Sequence, residues 1–185
     1  MMNSTNRETM QKILEEVKVR FSVESITYVQ NHEVHVDLPT SDIHGALSYL
    51  KTNGYRQLSA LTCVDWLEDE KFQLIFNIFN WETGDRLILR TMIDRSPADG
   101  TEPIFTTITT IYNGAKYYER EVHEFFGIIF EGNEDALKQL FLEQWDDMPP
   151  LRKDFDSRAY SDKKYIKREY NTTFGEQGGE PFERD

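Results

Sequence analysis

Apolar residues recur at helical spacing in the first stretch, TNRETMQKILEEVKVRF, where Met10, Ile13, Leu14, Val17 and Phe21 share a side and Ser4, Thr5 or Asn6 can cap the start. This predicts an amphipathic helix packed on a sheet. The period then shortens to two in SITYVQ and EVHVDLP, on either side of the turn-prone pair Asn31-His32, which predicts a β-hairpin with His35 on its polar face. Helical spacing returns in TSDIHGALSYLKTNG, with Thr40 or Ser41 as N-cap, Ile43, Ala46, Leu47 and Leu50 on one face, and Asn53-Gly54 as the stop. Three strand patterns follow, YRQLSALTCVDWL, KFQLIFNIFNW and RLILRTMID, joined by EDEK and ETGD, and they predict an antiparallel meander.

The order helix, two strands, helix, three strands predicts an α+β domain, a mostly antiparallel sheet with helices packed on one face. RSPADGTEP interrupts the pattern. IFTTITTIYNGAKYYEREVHEFFG then predicts one or two short helices, broken at Gly114 and stopped at Gly127, and NEDALKQLFLEQW another short helix capped by Asn133. From Asp146 onward the periodicity fails. The sequence therefore divides into an α+β domain over residues 1–145 and an extended C-terminal arm over residues 146–185. The arm carries Phe155, Tyr160, Tyr165, Ile166, Tyr170, Phe174 and Phe182, too many large apolar groups for a solvated tail, so it is expected to gain order on a partner with aromatic anchors and Arg/Lys pairing groups.

Charge sharpens this division. The 185 residues carry a formal charge of -12, but residues 150–170 hold 7 Lys/Arg against 4 Asp/Glu while residues 1–149 hold 13 against 25. The acidic body repels nucleic acid phosphates and anionic lipid, so no nucleic acid partner is expected. Cys63 is the one cysteine, which excludes an internal disulfide, a thiolate-held iron–sulfur cluster or a multi-cysteine zinc site built from this protein alone. Its apolar surroundings, LSALTCVDWL, favour a buried small hydrophobe over a reactive thiol. The N-terminus lacks a signal-type apolar region and no apolar run approaches the roughly 20 residues that cross a bilayer, which predicts a soluble or peripheral protein on the reducing, cytoplasmic side.

The densest chemistry lies in KYYEREVHEFFGIIFEGN. Glu119 and His123 stand at i, i+4 with Glu121 and Glu124 nearby, so a metal on one helix face is conceivable, and a free-standing metal-dependent hydrolase using Glu119, His123 and Glu124 is the alternative function. HEFFG lacks the second histidine of a zincin, and no nucleophile elbow, phosphate loop or dinucleotide fingerprint occurs elsewhere. The simpler reading is an amphipathic helix whose Phe125 and Phe126 are core while Glu119, Arg120 and Glu121 face outward or pair. PPLRKDF is more distinctive: two prolines impose an extended approach, Arg152 and Lys153 offer donors, and Phe155 an anchor.

YEREVHEFFGIIFEGN, then LFLEQW ending in Trp145, then PPLRKDF, closely resembles the signature region of the 30 kDa subunit of respiratory complex I, over about residues 116–155. It also resembles the corresponding subunits of membrane-bound hydrogenases and ferredoxin-linked complexes. The resemblance implies a cofactor-free structural subunit of the hydrophilic arm of an ion-translocating redox complex, not catalytic by itself, clamping a hydrogenase-like large subunit. Iron–sulfur clusters are then expected in partner subunits, and membrane attachment only through them. By the motif, Glu119, Arg120, Glu121, Arg152, Lys153 and Asp154 form the clamp; Trp145, together with Phe155, Tyr160 and Tyr165 of the aromatic arm, is expected to contact the same partner. One departure stands out: the histidine usual after the Phe-x-Gly turn is Asn133 here.

Overall fold

The structure, a computed structural model, describes residues 4–30, 32–96 and 102–165. Helix α1 (Ser4–Arg20) leads into the hairpin β1 (Ser25–Gln30) and β2 (Glu33–Asp37), then helix α2 (Thr40–Thr52) and the strands β3 (Gln57–Trp66), β4 (Lys71–Asn80) and β5 (Asp85–Asp94). The five strands form one sheet in the order β1-β2-β5-β4-β3. All neighbours are antiparallel except β2 and β5, which pair in parallel because α2 and the meander return the backbone beside β2 in the same direction.

Register explains why the alternation is so regular. Val36 pairs with Leu89, Leu89 with Phe76 and Phe76 with Leu61, giving one buried row across four strands. Sliding a strand by one residue would turn every such side chain to the other face. Onto that face pack Met10, Leu14 and Val17 of α1 and Ile43, Ala46, Leu47 and Leu50 of α2, in one continuous cluster. Each fully buried Leu, Ile or Phe contributes roughly 1.5–3 kcal/mol relative to exposure. His35 is half-buried on the opposite face between Glu33 and Arg90, as the alternation predicts.

Differences from the sequence expectations have local causes. Neither Thr40 nor Ser41 caps α2: the cap position is Pro39, whose extended backbone sets the entry, while the Thr40 hydroxyl bonds the Met92 carbonyl and the Ser41 hydroxyl bonds Asp42. Two short strands, β6 (Ile104–Thr106) and β7 (Ile129–Glu131), flank helix α3 (Ala115–Phe126) and pair in parallel; β6 lies where one or two short helices were expected over residues 104–127, and β7 was not foreseen. Three residues are too few to show a period, and the pair exists only because α3 brings Phe130 back against Phe105, ring centroids 6.1 Å apart. Asn31 of the hairpin turn lies outside the described residues.

By its contacts the protein divides into Met1–Phe155 and Asp156–Asp185. Residues 146–155, which the loss of periodicity assigns to the arm, are hydrogen-bonded within the first unit. The second unit contains a short helix, α4 (Ser157–Lys164), in place of wholly extended backbone. Asp156 caps it, its carboxylate accepting from the backbone N–H of Arg158 and Ala159 at 3.0 and 2.9 Å. Ile166, Tyr170, Phe174 and Phe182 lie outside the described residues.

Candidate functional site

Helix α3 carries the charged signature, and its buried face consists of Ala115, Glu119, Val122 and Phe126. A carboxylate thus sits within an apolar stripe. Glu119 is fully buried, and its oxygens accept from the Thr107 hydroxyl at 2.7 Å, the Ile108 backbone N–H at 2.8 Å and the Asn133 amide at 2.8 Å. Burial pushes its pKa above the usual value, and those three donors only partly offset the cost of desolvating the charge. Glu119 was expected to face outward or pair; it does neither, facing inward and accepting three hydrogen bonds with no salt bridge among the described residues. Asn133 thereby binds the signature glutamate, and its side-chain oxygen also accepts from the Asp135 N–H at 3.1 Å.

The neighbouring charges hold the segment after β7. Arg120 donates to the carbonyls of Lys138 and Gln139, and Glu124 accepts the N–H groups of Leu140, Phe141 and Leu142 at 3.0, 2.8 and 3.0 Å. These are backbone groups that the helix expected over residues 133–145 would have turned inward on itself. The segment consequently forms turns, with Leu137 and Phe141 largely exposed. His123 bonds the Ile128 carbonyl at 3.0 Å through Nδ1, which makes that nitrogen the protonated donor. Glu119, His123 and Glu124 therefore diverge, and no group of three or more metal-ligating side chains occurs among the described residues.

PPLRKDF closes as a strap over the C-terminal end of α3. The Leu151 N–H donates to the Phe125 carbonyl at 3.1 Å and Arg152 Nε to the Phe126 carbonyl at 2.7 Å, satisfying acceptors that the helix end leaves open. A cation there also complements the helix dipole. The Lys153 N–H donates to Asp65 at 2.8 Å; Asp65 accepts from Arg95 at 2.9 Å, and Arg95 also donates to Asp154. Both Arg95 and Arg152 stand over the Phe72 ring, 5.6 and 5.5 Å from its centroid. Burial works against the charge on Arg95, but Asp65 and Asp154 outweigh it and its pKa is raised, whereas burial and then the neighbouring Arg95 lower that of Arg152.

Gly127 makes this closure possible. Its φ is 77°, and a Cβ there would stand 2.8 Å from Arg152 Nη2 and 3.1 Å from Pro149 Cγ. Gly127→Ala is expected to destabilise by at least about 1 kcal/mol and to speed tryptic cleavage after Arg152. An unchanged urea midpoint and digestion rate would contradict this role.

Of the residues the motif assigns to a clamp, then, Glu119, Arg120, Arg152 and Asp154 engage their own fold. The Glu121 carboxylate and the Lys153 amine bond nothing among the described residues, and Lys153 is exposed. Trp145 and Phe155 are half-buried with rings 5.5 Å apart, and Trp145 donates to the Met148 carbonyl at 2.9 Å. In the second unit Tyr160 is half-buried beneath Lys164, and Tyr165 is exposed. In the first unit Leu137, Phe141 and Leu151 are also exposed, and sequence reasoning did not single them out; the first two were placed on a helix that does not form.

A family model described as respiratory-chain NADH dehydrogenase, 30 Kd subunit, matches residues 36–161, from β2 through the strap and into α4. The chain belongs to this 30 kDa subunit family. Among its relatives, the NADH-ubiquinone oxidoreductase 30.4 kDa subunit of Neurospora crassa is 34% identical over 147 residues, covering 75% of this chain and 50% of that one. The C/D 2 subunit of the Aquifex aeolicus NADH-quinone oxidoreductase is 29% identical over 156 residues, covering 83% of this chain and 25% of its own length. The protein thus spans half or less of these two relatives. A chain in the structure of the membrane-bound sulfane sulfur reductase, an archaeal respiratory membrane complex, superposes with a TM-score of 0.78 at 29% identity, covering 91% of this chain and 96% of that one. No helix among the described residues is long and apolar enough to cross a membrane.

Proposed function

We propose that this member of the 30 kDa family is a cofactor-free structural subunit of the hydrophilic arm of a complex I-like, ion-translocating redox complex, where it clamps the hydrogenase-like large subunit. The observation that carries the reading is the use of the signature charges. Glu119, Arg120, Glu124 and Arg152 bond irregular backbone and Asp154 bonds Arg95, and the segment they hold leaves Leu151, Lys153 and Phe141 exposed. Charge committed within the fold to pre-organise an exposed apolar surface serves association, because ordering completed before binding does not subtract from affinity. The near-complete coverage of a chain from an archaeal respiratory membrane complex supports such an assembly. So does the Aquifex aeolicus relative, whose name joins C and D in one polypeptide and so points to the D-type subunit as the partner.

In this reading iron–sulfur clusters reside in neighbouring subunits, the electron donor is NADH or ferredoxin, and the acceptor is quinone, protons or sulfur. The protein lies on the cytoplasmic side and reaches the membrane only through its partners. Arg152 holds its own helix end, so the informative substitutions are the outward pair Leu151→Glu and Lys153→Glu. Together they are expected to lower recovery of the large subunit with the tagged protein at least tenfold, roughly the effect of losing one interface hot spot, with the urea midpoint unchanged. Undiminished recovery from gently solubilised membranes would overturn the clamp. Recovery of an NADH-binding flavoprotein with the wild type would mark a respiratory NADH dehydrogenase, and its absence a hydrogenase or sulfur-reducing relative.

A further inference from the structure

Beside the strap lies a cleft of about 250 Å³ whose apolar walls are Leu137, Leu142, Trp145 and Pro149. That volume is below the usual 300–1,000 Å³ of a small-molecule site and suits one large side chain. Its walls are fixed by the contacts already described. Glu124 and Arg120 hold the backbone from 138 to 142, while the bond to Met148 and the ring of Phe155 hold Trp145. Its lip is acidic. Glu102 and Asp147 are exposed and form no salt bridge among the described residues, although Glu102 attracts Arg152 and one Asp147 oxygen accepts the Met148 N–H at 2.8 Å; the lone lysine of the lining, Lys138, has its amine on Asp135. His123 contributes an imidazole whose Nδ1 is committed to Ile128.

We infer that this cleft is a socket for a partner segment bearing one large apolar side chain with a Lys or Arg beside it. The apolar group would fill the walls between Leu137 and Trp145, and the cation would lie between Glu102 and Asp147. Charge complementarity selects this occupant. Two exposed carboxylates at the mouth of an apolar pocket, Glu102 only partly balanced by Arg152 and Asp147 without a salt bridge, reject an acidic segment and favour a basic one, and the negative body field draws the same sign toward it. The socket is separate from the outward face of Leu151 and Lys153, whose cation selects the opposite charge. It rests on the assembly reading only in that the segment is supplied by another subunit of the complex.

The test uses the full-length protein in its membrane complex, with a photo-crosslinking phenylalanine analogue at Leu137 and the joined peptide sequenced by mass spectrometry. The expected product is one segment of another subunit with Lys or Arg within about three residues of a large apolar residue. Glu102→Lys/Asp147→Lys is expected to lower its yield about tenfold, and the milder Glu102→Gln/Asp147→Asn to lower it less. Both positions are exposed, and an unchanged urea midpoint would confirm that the charge changes leave the fold intact. A crosslink to an acid-rich segment, to a second copy or within the same molecule would overturn the socket. So would a yield insensitive to charge, or no crosslink in a protein that still co-purifies with the large subunit. A protein recovered without other subunits would instead overturn the assembly reading, and with it the occupant named here.

Discussion

Asp65→Ala is expected to lower unfolding stability by about 3–5 kcal/mol, the cost of removing one partner from a buried ion pair. The Asp65 side chain is fully buried and that of Arg95 is 9% exposed. With Asp65 gone, Arg95 would keep only Asp154, which is 40% exposed, and the Lys153 N–H would lose its acceptor. The strap should loosen as well, so trypsin should cut faster after Arg152 and Lys153. Asp154→Ala removes a partly solvated partner and should cost at most about 1 kcal/mol. The double replacement Asp65→Leu/Arg95→Met should recover most of the loss, because it leaves no buried charge unpaired. Urea denaturation of the three variants decides the matter, and equal losses for Asp65→Ala and Asp154→Ala would refute the buried pair as anchor.

Glu119→Ala is expected to cost about 2–4 kcal/mol by leaving the Thr107 hydroxyl, the Ile108 N–H and the Asn133 amide without an acceptor. Glu119→Gln separates shape from charge. The folded-state pKa of Glu119 lies above its ordinary value of 4.5. Between those two values the native state keeps a proton that the unfolded state has released, so the contribution is full below the ordinary value and is lost as pH rises through the folded one. Asp37 behaves in the opposite way: burial opposes its charge, but hydrogen bonds from Arg90 and Ser25 prevail and hold its pKa below 3.8. Its contribution is present above that value and lost as pH falls through the lowered one. Stability should therefore decline on both sides of an optimum in the acid range, and Glu119→Gln should flatten only the side above 4.5. Urea midpoints measured from about pH 3 to 8 test this, and an unchanged slope in the variant would contradict it.

How far such a site can be read in advance depends on the range of the forces that form it. The i, i+3, i+4 spacing of α2 and the strict alternation of β4 are local signals, because each residue meets the same core at every repeat. The Glu-Arg-Glu helix and PPLRKDF were legible as a linked signature, and Gly127 as the stop between them. Their orientation was not. Glu119 has the same local sequence whether it points to solvent or to Thr107, and only the tertiary fold, which brings the segment after β6 and Asn133 to α3, places three donors around it. NEDALKQLFLEQW has a sound helical pattern, yet Glu124 and Arg120 take up its backbone groups, and charged acceptors and donors outcompete neutral bonds within one helix.

What the sequence by itself determined, then, is the helices α1, α2 and α3, the strands β1 to β5 of a mostly antiparallel sheet with helices on one face, the absence of a multi-cysteine site and the family signature, carried by periodicity, residue count and motif spacing. Only the tertiary structure decided that β2 pairs in parallel with β5, that residues 134–145 form turns, and that most of the signature charges bind within their own fold. Those outcomes depend on contacts between residues as far apart as Asp65 and Lys153. A buried charge takes whichever partners the completed core brings within hydrogen-bonding distance, and no local pattern along the sequence encodes that choice.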